Sequence, residues 1–147
     1  MLYYTRNEII RFLEERNFEC FELSEALAEI ATTEQYCIAI EAKDHVASEE
    51  YVNLALSVLR DLDKHIGRAQ NWLGNFNVKH DRWHPEGLDA GFELRSIYIG
   101  KYETGGERRF TYEGFMMTFG TVNYYPCEFV VKFNMSMTPF AVEEIVE

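Results

Sequence analysis

His80-Asp81-Arg82-Trp83-His84-Pro85-Glu86, with Asp89 just beyond, is the densest run of chemistry-bearing residues in the chain. His80 and His84 stand four apart, a spacing that sets two imidazoles on one helix face, and a carboxylate such as Asp81 would join them in a metal site. Pro85 and the flanking glycines predict a loop instead, in which Trp83 anchors to the core and the histidines face water. His80, Asp81 and His84 are the candidate metal ligands, but the sequence fixes no complete ligand set. Asp61 and His65 are also four apart, close enough on a helix for a carboxylate–histidine general base. The competing reading is a solvated helix face. Lys43-Asp44-His45 reads as a polar loop.

Other chemistries lack their residues. No serine sits in a G-x-S-x-G setting, and neither G-x-x-x-x-G-K-[ST] nor G-x-G-x-x-G occurs. No cofactor is expected. Cys20, Cys37 and Cys127 are widely spaced without a C-x-x-C, which argues against a zinc knuckle or redox dithiol and for reduced thiols in the cytoplasm. MLYYTRNEII lacks a basic segment followed by a long apolar one, so no signal peptide is expected. The longest apolar run, Tyr36 to Ile40, is far too short to span a membrane.

Charge and aromatic residues point to binding. The net charge is −11, and residues 1–50 hold 12 acids against 4 bases, so the first third carries −8 of it. Such a field repels nucleic acid and anionic membrane and attracts a basic partner. Glu15, Glu19, Glu22 and Glu25, with Glu14 and Glu29, are the candidate steering residues. Trp83, Tyr124 and Tyr125 are the candidate aromatic anchors, since such rings bury area and offer a polar tip. Simple solubility and ordinary core filling are the competing explanations. A homodimer is also compatible with the aromatic surface.

The elements that must position these residues follow from periodicity. At 147 residues the chain is the size of one domain, residues 1–147, able to bury a core without disulfides or metal. Thr5-Arg6-Asn7-Glu8 has capping-box form and predicts a short helix over 6–16. Ser24 caps a second predicted short helix, Glu25 to Ala31. Gln35 to Ala42 alternates as a strand. These make up an acidic helix-and-strand part, 1–47. From Ser48 to Leu73, Val52, Ala55, Leu59, Leu62, Ile66, Ala69 and Leu73 form one stripe, predicting a central helix about seven turns long. Gly74 to Gly91 reads as a loop. From residue 92 to 138 the period becomes two: Phe92 to Glu103 with a bulge near Arg95, Arg109 to Val122 after a Gly105-Gly106 turn, and Cys127 to Met137. Pro139 opens a predicted terminal helix, Phe140 to Val146. The expected fold is α+β, one long amphipathic helix packed on an antiparallel β-meander, with short N-terminal helices.

Leu94-Arg95-Ser96-Ile97-Tyr98-Ile99, then a glycine turn, then Phe110-Thr111-Tyr112-Glu113-Gly114-Phe115-Met116, is similar to small uncharacterised bacterial domains that place such a strand after a long helix. Some of these occur near polymorphic-toxin immunity proteins, which are small, acidic, cytosolic and without catalysis. The resemblance covers residues 50–135, rests on structural motifs and transfers no functional residue. It implies a non-enzymatic acidic module that binds a basic protein. The alternative is a small-ligand or metal-dependent enzyme built on the 74–91 loop.

Overall fold

The computed structural model describes residues 3–23, 28–43, 46–80, 92–103, 111–121 and 127–146. Thr5 caps the first helix, α1 (Arg6–Glu14): its hydroxyl accepts from the Glu8 amide, and the Glu8 carboxylate accepts from the Thr5 amide. Both orphan donors at this helix start are thereby satisfied. Ser48 caps α2 (Glu49–Arg60), and α3 (Leu62–His80) follows after one residue. The strands are β1 (Glu22–Leu23), β2 (Ala28–Thr32), β3 (Cys37–Lys43), β4 (Val46–Ala47), β5 (Phe92–Glu103), β6 (Thr111–Thr121), β7 (Cys127–Asn134) and β8 (Pro139–Val146).

The strands form one sheet in the order β1-β2-β3-β5-β6-β7-β8, with β4 on the side of β3. β3 and β5 run parallel, Ile38 opposite Ile97 and Ile40 opposite Ile99, while the other neighbours are antiparallel. A parallel pair needs a long crossover, which α2 and α3 supply. Ile38, Ile40, Ile97, Ile99, Phe115, Met117, Phe119, Val131 and Phe133 are fully buried on one face of the sheet. Ile9 and Leu13 of α1, Val58 and Leu59 of α2 and Ala69 and Leu73 of α3 join them in one core. Helices and sheet thus share a single apolar layer.

The expected fold of one long helix on an antiparallel meander is overturned. The sheet is mixed, and strands on both sides of the helices in sequence build it. The predicted helix 48–73 is two helices, interrupted at Asp61, whose backbone (φ −114°, ψ 32°) leaves helical geometry. Aspartate favours such a break because its side chain competes for nearby backbone donors. The Asp61 amide still reaches Ser57 and its carbonyl still serves His65, so the interruption is slight and the apolar stripe carries on. Residues 74–80, expected as loop, prolong α3; residues 81–91 lie outside the described part. The expected helix 25–31 is replaced over 28–32 by β2, where Ala31 is buried opposite Ile38. The expected terminal helix is β8, in which Pro139 is the first strand residue and Val142 pairs with Val131. In both segments pairing with a neighbouring strand outweighs local helix preference.

Candidate functional site

Several predicted site residues lie outside the described part: Glu25, Asp81, Trp83, His84, Tyr124 and Tyr125. His80 closes α3, and its side chain is outside that part too. Among the described residues no three His, Cys, Asp or Glu side chains come together as a metal site. Glu15, Glu19 and Glu22 are exposed, at the C-cap of α1, in the following turn and on edge strand β1. Glu14 beside them is paired with Arg60 at 2.9 Å, and Arg16 is held by Glu49.

The Asp61–His65 reading is corrected by burial. His65 is 3% exposed and faces the sheet, edge-on to Phe115 at 5.6 Å and Phe133 at 6.1 Å. Neither ring nitrogen has a hydrogen-bond partner. Burial above all, then the charge of Arg68, pushes its pKa down, against an opposing pull from Asp61. A neutral imidazole sealed in the core has no substrate to act on. The two thiols described are equally quiet: burial raises both Cys37 and Cys20, the latter to about 11.

A cavity of about 820 Å³ opens where four segments meet. Residues 3–6 enter α1, residues 33–36 join β2 to β3, residues 62–66 start α3, and residues 92–95 start β5. The Tyr4 amide donates to the Thr32 carbonyl at 2.9 Å, which lays the N-terminal segment along the end of the sheet. Tyr4 also packs edge-on to Phe12 of α1. In the β2–β3 turn, the Thr33 hydroxyl donates to the Tyr36 carbonyl at 2.8 Å and accepts from the Gln35 and Tyr36 amides. That clasp fixes Tyr36 in the groove wall. Leu62, Ile66 and Leu94 give the walls their apolar part.

The rim carries both signs of charge. Arg6 and Asp63 face each other at 3.7 Å, and Arg95 reaches Glu93 at 3.4 Å, both pairs well exposed. Arg95 sits at a register shift between Leu94 and Ser96, at the position where the alternation predicts a bulge. Its guanidinium lies over Gly120, where a Cβ would come within 2.6 Å of it. Tyr36 is 9% exposed, and its hydroxyl is buried with no hydrogen-bond partner. Burial raises the pKa of that phenol; the charges of Arg6 and Asp63 also reach it, with opposite signs. A buried hydroxyl without a partner costs free energy, and this one has no surface open to the cavity, so it is a cost carried by the fold.

None of this is visible in the chain order. The groove draws on residues from positions 3 to 95, and its one local signal is the capping box that sets the path of residues 4–6. No family model matches this chain, and neither a curated protein nor a solved structure matches it. No helix among the described residues is long and apolar enough to cross a membrane.

Proposed function

We infer that the chain is a non-catalytic, acidic module that binds a basic protein partner, as an immunity-type protein does. The observation that carries this reading is the exposed acid run from Glu14 to Glu22. Glu15, Glu19 and Glu22 stand in water there without an ion pair among the described residues, while the one base in the run, Arg16, is occupied by Glu49 and Asn53. Glu14 is paired with Arg60, but a surface whose one base is engaged and whose other acids are not keeps its negative potential, and that potential steers a basic partner. The overall charge of −11 has the same sign.

The experiment is capture of partners from lysate at low salt, followed by association kinetics with the captured protein. Glu19→Lys with Glu22→Lys is expected to slow association about tenfold at low salt and to have little effect at high salt, because steering acts on the encounter and is screened. An unchanged on-rate overturns the reading. So does a captured set with no excess of basic proteins.

A further inference from the structure

The two ends of the sheet are finished differently. At one end β1 is two residues long, and beside it the Tyr4 amide already donates to the Thr32 carbonyl. At the other end β8 runs for eight residues, and no strand pairs with its outer side among the described residues. Successive residues of a strand turn their amides and carbonyls to alternate sides, so β7 engages one half of these groups and the other half face outward. Among the described residues no backbone group from a turn or loop reaches them.

Edge strands are commonly blunted by shortness, proline, lysine or a bulge. Pro139 and the register shift that steps over Phe140 guard only the start of β8. Ala141 to Val146 then pairs with β7 without a break and holds neither proline nor lysine. Its apolar side chains are incompletely covered on both faces. Val142 is half-buried on the helix-bearing face, although its partner Val131 is fully buried, and Ile145 is 41% exposed on the face away from the helices. Since α3 lies against β8 and Val142 packs at the margin of the core, one more strand would extend the existing apolar layer.

The charges on this edge select what the strand can be. Glu143 stands on the face away from the helices, 2.8 Å from Lys132, and Glu144 on the helix-bearing face opposite Phe129. β8 holds no base. A second copy of the chain would bring the same two glutamates and a net charge of −11 against them. A strand with lysine or arginine brings the opposite sign to both faces.

We propose that β8 is a docking edge that takes an extended, basic segment of a partner protein as a further strand of the sheet. The main chain of residues 141–146 supplies the hydrogen bonds, Val142 and Ile145 the apolar contact, and Glu143 and Glu144 the preference for a basic segment. The inference deepens the basic-partner reading, and rests on it for the partner's charge.

The test titrates the isotope-labelled chain at low salt with a blocked peptide of valine and threonine carrying two adjacent lysines, and with the same peptide carrying glutamates in their place. The lysine peptide should bind saturably with a Kd below about 1 mM, and the glutamate peptide about tenfold more weakly. On binding, amide exchange should slow at alternate residues of 141–146, which contact through side chains alone does not produce. Ile145→Lys, a change at an exposed side chain, should weaken the lysine peptide about tenfold while Tm stays level. No saturable binding of the lysine peptide, equal binding of both peptides, or binding without the alternate protection overturns the proposal. So does concentrated protein that dimerises and gains that protection by itself, which assigns the edge to a second copy. If the lysine peptide binds with that protection and Glu19→Lys with Glu22→Lys slows no partner, the edge stands and the steering reading falls. If those charge reversals slow a partner whose complex leaves β8 unprotected, the edge falls alone.

Discussion

Tyr102 and Tyr36 lie in different parts of the sheet, and each keeps company with a cation and a carboxylate. Tyr102 is 7% exposed and donates its hydroxyl to the Phe133 carbonyl at 3.1 Å. Lys132 approaches its ring to 5.9 Å and ends 2.8 Å from Glu143, with the lysine side chain only 7% exposed. Tyr112 stacks with the same ring, centroids 6.1 Å apart. The Tyr102 hydroxyl, the Lys132 ammonium and the Glu143 carboxylate each have a partner there, and the rings pack around them. Around Tyr36 the same residue types are present, but the hydroxyl has no partner, the ion pair is 3.7 Å long, and a cavity stands beside it. A satisfied polar cluster holds the fold together; a buried hydroxyl without a partner subtracts from it.

The sharpest way to break this comparison is to remove the cation from each place. Lys132→Ala takes away a buried stem and leaves Glu143 without its partner. It should lower unfolding stability by about 2 kcal/mol, discounted for the half-exposed carboxylate. Arg6→Ala should change stability by no more than about 0.5 kcal/mol, since its pair is long and wet. Urea denaturation of both variants measures the difference. Equal losses would mean that the groove end is as structural as the knot.

The next contrast is smaller and has opposite signs. Tyr102→Phe removes a buried hydrogen bond to the Phe133 carbonyl and should cost about 1 kcal/mol. Tyr36→Phe removes a buried hydroxyl that bonds to nothing, so stability should hold or rise by about 0.5 kcal/mol. Melting curves of the two variants side by side decide it. A loss at Tyr36 matching that at Tyr102 would show that its hydroxyl is engaged in the free protein.

The strands that carry Tyr102 and Lys132 are legible in the sequence; the burial of Lys132, its pairing with Glu143 on β8 and almost all of the groove are not. The alternation of Phe92 to Glu103, its phase slip near Arg95 and the apolar rows of β6 and β7 are written locally, because a half-buried strand repeats every two residues. The capping box of α1 is local as well. β2 and β8 were misread as helices because their short Ala- and Glu-bearing segments suit either state, and the strand beside each decides. The parallel pairing of β3 with β5 depends on where the crossover lands, which no periodicity encodes. Tyr36 reads simply as the first member of an alternating strand with Ile38 and Ile40. That its hydroxyl is buried without a partner depends on how distant segments pack around it, which no local pattern encodes.

His65 extends the rule drawn from the two tyrosines. Its ring nitrogens also lack partners and, like the Tyr36 hydroxyl, are sealed from solvent, here against Phe115 and Phe133. This yields the smallest effect, a change of slope with pH. Burial holds the His65 pKa in the folded chain below its unfolded value of about 6.5. Between those two values the unfolded chain takes up a proton that the folded chain refuses. The neutral ring's contribution is therefore intact above the unfolded value and is lost as pH falls toward the folded one. His65→Leu fills the same apolar site without a proton to gain. Its advantage over the natural chain should widen as pH is lowered from about 7.5 to about 5, a window that brackets the ordinary histidine pKa. Denaturation midpoints across that window test it, with the other three histidines common to both chains and so cancelling in the difference. A constant difference would mean that the imidazole already exchanges protons with water in the folded state. The contact with the two phenylalanines would then open more often than its burial implies.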